Sequence, residues 1–170
     1  MPKMLLEPYG LGVYEVIGDE KIISRMLEKS LYGKSDDVFH VDYLEVLYHL
    51  YRGAIIVKEG DKQLSFYDLV SILSKYNENI WVVFEVFLDI RRRGRVVKSG
   101  VYESSLIVQK GNDIIEYHIM EESKLVKVSE IERLVLFSRK NNREPVLAIV
   151  DRNGNLTYYA VERIRLPKIS

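Results

Sequence analysis

Between residues 78 and 98 the hydrophobic period of the chain changes, and this switch limits the possible folds more than any other feature. In ENIWVVFEVFLDIRRR (78–93), Ile80, Val83, Phe84, Phe87, Leu88 and Ile90 recur at helical spacing, and Arg91, Arg92 and Arg93 complement the C-terminal dipole ahead of Gly94. Downstream, RVVKSG, SSLIVQK, DIIEYHIM and SKLVKV are short, β-branched runs separated by turn residues, the pattern of strands. A helix bridging two halves, the second built on a sheet, is the expected outcome.

The first half reads as a small α+β unit. MLLEPYGLGVYEVIG gives short strands and turns, and residues 19–29 place Ile22, Ile23, Met26 and Leu27 on one helical face. In HVDYLEVLYHLYRG, Asp42 and Glu45 have capping-box spacing, Leu44, Leu47, Tyr48 and Tyr51 share a face, and Gly53 suits a left-handed C-cap. AIIVKEGDKQ is a strand and turn, and Ser65 with Asp68 opens a short helix. In the last third, Ser129 and Glu132 have capping-box spacing ahead of Ile131, Leu134, Val135 and Phe137. PVLAIVD then reads as a core strand, and Asn153-Gly154 signals a type I′ hairpin turn with positive φ at both residues.

Composition removes several function classes. Lys and Arg (25) balance Asp and Glu (25), so nucleic-acid contact has to come from a local patch rather than a global field. The absence of cysteine excludes disulfides, thiolate zinc sites and a Cys nucleophile. No apolar run approaches the roughly 20 residues of a membrane-spanning helix, and MPKMLLEPYG lacks a signal peptide's apolar stretch, so a cytoplasmic protein is expected.

The stretches FHVDYLEVLYHLYRGAIIV, DLVSIL, VFEVFLDIRRRGRVVKSG and VSEIERLVLFSRKNNREPVLAIVDRNGNLTYYAVERI resemble, in order and spacing, subunits of the archaeal tRNA-splicing (tRNA-intron) endonucleases. The resemblance implies an α+β N-terminal domain (1–76) and an α/β restriction-endonuclease-like C-terminal domain with a mixed central sheet (77–170). It also implies assembly into a tetramer and metal-free, cofactor-free cleavage of bulge-helix-bulge RNA. In that chemistry a Tyr deprotonates the ribose 2′-hydroxyl, a His protonates the leaving 5′-oxygen and a Lys stabilises the charged transition state.

This sequence departs from the family at all three catalytic positions. In GVYESSLIVQK, Tyr102, Glu103, Ser105 and Leu106 stand for the family's aromatic, Gly, Asp and Phe, and Gln109 stands for the catalytic Tyr. An amide cannot accept the proton. The His position falls near Asn112 or Asp113, and the Arg, small residue and Lys of the family's helix fall at Leu136, Ser138 and Arg143. The resemblance therefore implies a structural subunit that pairs with a catalytic subunit, joins a second copy of the same heterodimer and acts on precursor tRNA.

Other constellations carry two readings each. Arg91, Arg92, Arg93 and Arg95 are candidate RNA-phosphate contacts, or a helix end using its dipole. Asp151 and Asn153 in the DRNGN loop, with Tyr158, Tyr159 and Val161 on the last strand, are candidate subunit contacts by the resemblance, or plain turn and core. A carboxylate metal centre from Asp113, Glu116, Glu121 and Glu122 lacks the required spacing. Two further functions stay open: an active homo-oligomeric ribonuclease in which Tyr117 and His118 serve as base and acid with Lys110 or Lys140, and a nucleic-acid-binding module without cleavage.

Overall fold

The computed structural model describes residues 1–30 and 32–162. Strands β1 (Lys3–Glu7), β2 (Leu11–Gly18), β3 (Lys34–Ser35), β4 (Val38–Asp42), β5 (Ile55–Glu59) and β6 (Lys62–Leu64) form one sheet in the order β3-β4-β1-β2-β5-β6. Helices α1 (Glu20–Ser30), α2 (Tyr43–Tyr51) and α3 (Phe66–Leu73) pack against it. Only the β1–β4 pair is parallel, because α1 lies in the connection between β2 and the β3–β4 hairpin. The α3 capping box forms as its spacing predicts: Asp68 N donates to Ser65 Oγ (3.1 Å) and Ser65 N donates to Asp68 Oδ2 (2.8 Å).

The capping box expected at α2 forms only by half. Asp42 Oδ1 accepts from Leu44 N (2.9 Å), but Glu45 is fully buried and its carboxylate accepts from Arg91 (3.2 Å). A buried cation outcompetes a helix N-terminus for that carboxylate.

The second half holds α4 (Ile80–Arg92), β7 (Val97–Ser99), β8 (Ser105–Lys110), β9 (Asp113–Glu121), α5 (Val128–Lys140), β10 (Glu144–Val150) and β11 (Leu156–Ala160). Its sheet runs β11-β10-β9-β8-β7, with β9 and β10 parallel across the α5 crossover and every other pair antiparallel. This is an α/β unit on a mixed sheet, following an α+β unit.

Three local expectations fail here. SKLVKV is loop rather than strand and Leu125 is fully exposed, because β9 already reaches Glu121 and β10 occupies the edge beyond it. Helix α5 starts at Val128, ahead of the Ser129–Glu132 pair, with Lys127 N donating to Glu130 Oε2 (3.3 Å). At the last hairpin only Gly154 has positive φ (79°), Asp151 N donates to Asn155 O (3.0 Å) and Gly154 N donates to Asp151 O (3.1 Å). That is a type I turn closed by a left-handed glycine, one residue longer than a type I′ turn.

One hydrophobic core runs through both halves: Met4, Leu6, Leu44 and Leu47 connect through Phe84 and Phe87 of α4 to Leu106, Val108 and Ala148. Helix α4 is buried on most sides, as its dense apolar composition requires. Polar clamps cross the same boundary. Asp42 Oδ2 accepts from both Ser99 N and Ser99 Oγ at 2.7 Å, and Arg91 of α4 donates to the buried Glu45 of α2 (3.2 Å).

Candidate active site

Strands β8 and β9 are joined by the two-residue turn Gly111-Asn112, with Gly111 at φ 61° and Lys110 opposite Asp113. Positive φ at the first central residue alone is the type II′ pattern, whose twist suits a hairpin. Gln109 sits exposed at the end of β8, where its Nε2 donates to the Gly111 carbonyl (3.3 Å). Strand alternation puts Lys98, Ile107, Gln109 and Glu116 on one face of the sheet, the face α5 crosses. Arg143, immediately before β10, reaches the same place. Together Val96, Lys98, Ile107, Gln109, Ile114 and Arg143 line a cleft of about 130 Å³.

Beneath this cleft lies a buried polar chain. Arg143 Nη1 donates to Glu116 Oε1 (3.2 Å), Ser138 Oγ donates to Glu116 Oε2 (2.7 Å), and His118 Nε2 stands 2.8 Å from Ser138 Oγ. The single hydroxyl proton of Ser138 is committed to the carboxylate, so the imidazole nitrogen is the donor in the His118–Ser138 bond. Burial pushes the His118 pKa below its ordinary value, and Glu116 pulls it part of the way back. The hydrogen bonds run from His to Ser to Glu, opposite to the direction that activates a serine nucleophile. This chain fixes Arg143 and the α5–sheet interface and makes no reactive hydroxyl.

The other predicted residues are not brought together. Tyr117 and His118 are adjacent on β9 and face opposite sides of the sheet: the Tyr117 ring packs edge-on against Tyr158 at 5.6 Å, while His118 lies under α5. They cannot act as base and acid at one phosphodiester. The carboxylates are equally dispersed. Glu116 is consumed by Ser138 and Arg143, and Asp113 and Glu121 stand at opposite ends of β9, eight residues or roughly 26 Å apart at strand rise. Among the described residues no group of three or more His, Asp or Glu is placed to hold a metal ion.

The arginine run divides. Arg91, expected at the RNA surface, is buried, paired with Glu45 and stacked over the Tyr48 ring at 5.2 Å, because helical spacing turns it inward toward α2. Arg92, Arg93 and Arg95 are exposed, with Arg93 Nε bonded to Asp89 (3.0 Å). In the last hairpin the Asp151 carboxylate is spent within its own loop, accepting from Asn153 N, Asn155 N and Asn155 Nδ2 at 2.7–2.8 Å. Tyr158 is half-buried and donates to Asp89 (2.7 Å), while Tyr159 points away and is 54% exposed on the edge strand β11. Val161 lies just past the strand, its N–H directed at Pro145 O (3.4 Å).

Lys98 and Glu116 were not singled out from the sequence as members of this site, whereas Ser138 was named only as the small residue of the helix. The period-2 alternation that places Gln109 on its face also places Lys98 and Glu116 there, so the signal was present once the strand register was known.

Comparison with known proteins agrees with this architecture. Residues 14–70 match the tRNA intron endonuclease N-terminal domain, and residues 80–158 match the tRNA intron endonuclease catalytic C-terminal domain. The chain is 31% identical over 166 residues to the tRNA-splicing endonuclease of Pyrococcus furiosus, covering 94% of this chain and 97% of that one. It is 28% identical over 159 residues to the tRNA-splicing endonuclease of Methanococcus vannielii (89% and 90% covered) and 30% identical over 152 residues to that of Pyrococcus horikoshii (86% and 89% covered). With both halves matched in order and nearly full-length similarity to these enzymes, the chain belongs to the archaeal tRNA-splicing endonuclease family.

Proposed function

We propose that the chain is the structural subunit of a tRNA-splicing endonuclease, joined to a catalytic subunit in a two-plus-two heterotetramer that cuts introns from precursor tRNA at bulge-helix-bulge motifs. The observation that carries this reading is the cleft at the β8–β9 hairpin end. By the resemblance the family's Tyr, His and Lys fall at Gln109, near Asn112 or Asp113, and at Arg143, and Gln109 and Arg143 line that one cleft. Gln109 has no proton equilibrium near neutral pH and no His stands at Asn112 or Asp113, so in this reading both acid–base roles are lost, each worth about 10²–10⁴-fold in rate. The cation that remains is fixed to Glu116.

In this reading residues 1–76 and 77–170 are the two units of the subunit, clamped by the Asp42–Ser99 bonds and the Glu45–Arg91 ion pair. Tyr159 and Val161 contribute to pairing through the β11 edge, and Asp151 and Asn153 shape the adjoining loop. The competing reading, an active homo-oligomer using Tyr117 and His118, is disfavoured by their opposite orientation on β9 and by the burial of His118.

The test is incubation of the pure chain with a bulge-helix-bulge precursor tRNA over a wide concentration range. No 2′,3′-cyclic phosphate product is expected at any concentration. Cleavage that survives Gln109→Ala and stops with Tyr117→Phe would replace this reading with the homo-oligomeric one.

A further inference from the structure

On the sheet face opposite the degenerate cleft, α4 and the strand ends enclose a second pocket of about 410 Å³. Arg93, Arg95, Lys110, Tyr117 and Tyr158 supply its polar wall, with Ile90 and Val108 at the floor. Arg95 and Lys110 have no hydrogen-bond or ion-pair partner among the described residues, so two cations line it without a contact ion pair, with Asp113 across the ladder from Lys110. A third, Arg93, is shared with Asp89 and lies over the Tyr158 ring at 5.9 Å. Tyr117 stands within the field of both Arg93 and Arg95 and makes an edge-on pair with Tyr158. In a chain with no net charge, this convergence of unpaired cations on a concave aromatic surface is a local feature of the kind that binds a polyanion.

We propose that this pocket binds one unpaired nucleotide of an RNA strand, its phosphate held by Arg95 and Lys110 and its base set against Tyr117. The proposal rests on the reading of the chain as a subunit that engages precursor tRNA. Size and chemistry favour this occupant. The volume lies within the roughly 300–1,000 Å³ of pockets that enclose a whole small ligand, more than a single carboxylate side chain fills. Cations tracking a backbone beside an aromatic platform are the recurring means of holding single-stranded nucleic acid without reading sequence. The acid of the hairpin loop is a weaker candidate occupant, because three hydrogen bonds hold the Asp151 carboxylate to its own loop. The pocket is also separate from the cleft of Gln109 and Arg143, which opens on the other face of β8.

The test uses the full chain mixed with its catalytic subunit and a fluorescein-labelled bulge-helix-bulge RNA, comparing wild type with the Arg95→Ala, Lys110→Ala double variant. Both residues are exposed, so folding is expected to be intact and is checked by circular dichroism. The expected result is at least about tenfold weaker binding, a slope of log affinity against log salt shallower by about two, and a raised KM with kcat unchanged. Unchanged RNA affinity in an assembly that still cleaves overturns the pocket assignment alone. Unchanged RNA affinity with weakened subunit association in sedimentation also overturns it and gives the pocket to an acidic partner loop. A wild-type mixture that fails to cleave at all counts against the structural-subunit reading, which the variant does not test.

Discussion

Arg143 donates to the fully buried carboxylate of Glu116 across 3.2 Å, so this cation of the β8–β9 cleft is tied into the packing of α5 on the sheet. Removing the cation alone leaves Glu116 buried with only the Ser138 hydroxyl as partner. Arg143→Met is therefore expected to destabilise the fold by roughly 2–4 kcal/mol, and Glu116→Gln in the same background to recover part of that loss. Urea unfolding of the two single variants and the double variant measures the coupling. Additive effects would mean that the pair contributes no mutual stabilisation.

Asp42 ties the two halves together through Ser99. It caps α2 through Leu44 N and accepts two bonds from Ser99, with its pKa raised by burial and lowered again by those donors. Asp42→Ala removes three accepted bonds, one of them the α2 cap, and is expected to cost about 2–4 kcal/mol, against about 1 kcal/mol for Ser99→Ala, which keeps the backbone donor. Thermal unfolding that stays a single transition in the Ser99 variant supports one cooperative core.

Stability is expected to depend on His49 below neutral pH. Burial first, then Arg91, Arg52 and Lys29, push its pKa down from the ordinary 6.5 to about 4. A depressed folded-state pKa means that the stabilising contribution is complete above about pH 6.5 and declines as pH falls toward 4. Asp42 and Glu45, raised by burial, act with the opposite sign in acid. The difference in unfolding free energy between wild type and His49→Gln, measured from pH 7 to pH 4, cancels the Asp42 contribution, retains the coupling to Glu45 3.7 Å from His49, and is expected to shift in favour of the variant as pH falls.

Tyr159, 54% exposed on an edge strand, is expected to matter for association and not for folding. Tyr159→Glu places a charge where strand-edge pairing buries a ring, so sedimentation should show a smaller species at equal concentration with an unchanged unfolding midpoint. An unchanged sedimentation profile would remove β11 from the interface.

Much of the architecture is legible from local chemistry. The Ser65–Asp68 capping box, the dense apolar face of α4 and the period-2 runs from Val97 to Met120 each name their element, because in each the local preference and the buried face coincide. What misleads is competition. The Ser129–Glu132 and Asp42–Glu45 pairs have capping spacing, yet Lys127 and Glu130 begin α5 two residues earlier and Glu45 goes to a buried cation. SKLVKV has strand composition, but the sheet edge it would need is already occupied by β10. The site divides in the same way. Gln109 and Arg143 are found from family spacing, whereas the inward turn of Arg91 and the joining of Lys98 and Glu116 to the cleft depend on register, which no single window of sequence carries.

The central claim is most directly tested by reconstitution. Precursor tRNA with a bulge-helix-bulge is incubated with this chain, with a catalytic subunit from the same organism, and with their mixture, the last also prepared with Gln109→Ala in this chain. Cleavage in the mixture alone, with the Gln109→Ala mixture cutting at the same rate, is the predicted result. Efficient cleavage by this chain alone, or loss of cleavage in the mixture on Gln109→Ala, would contradict a non-catalytic subunit.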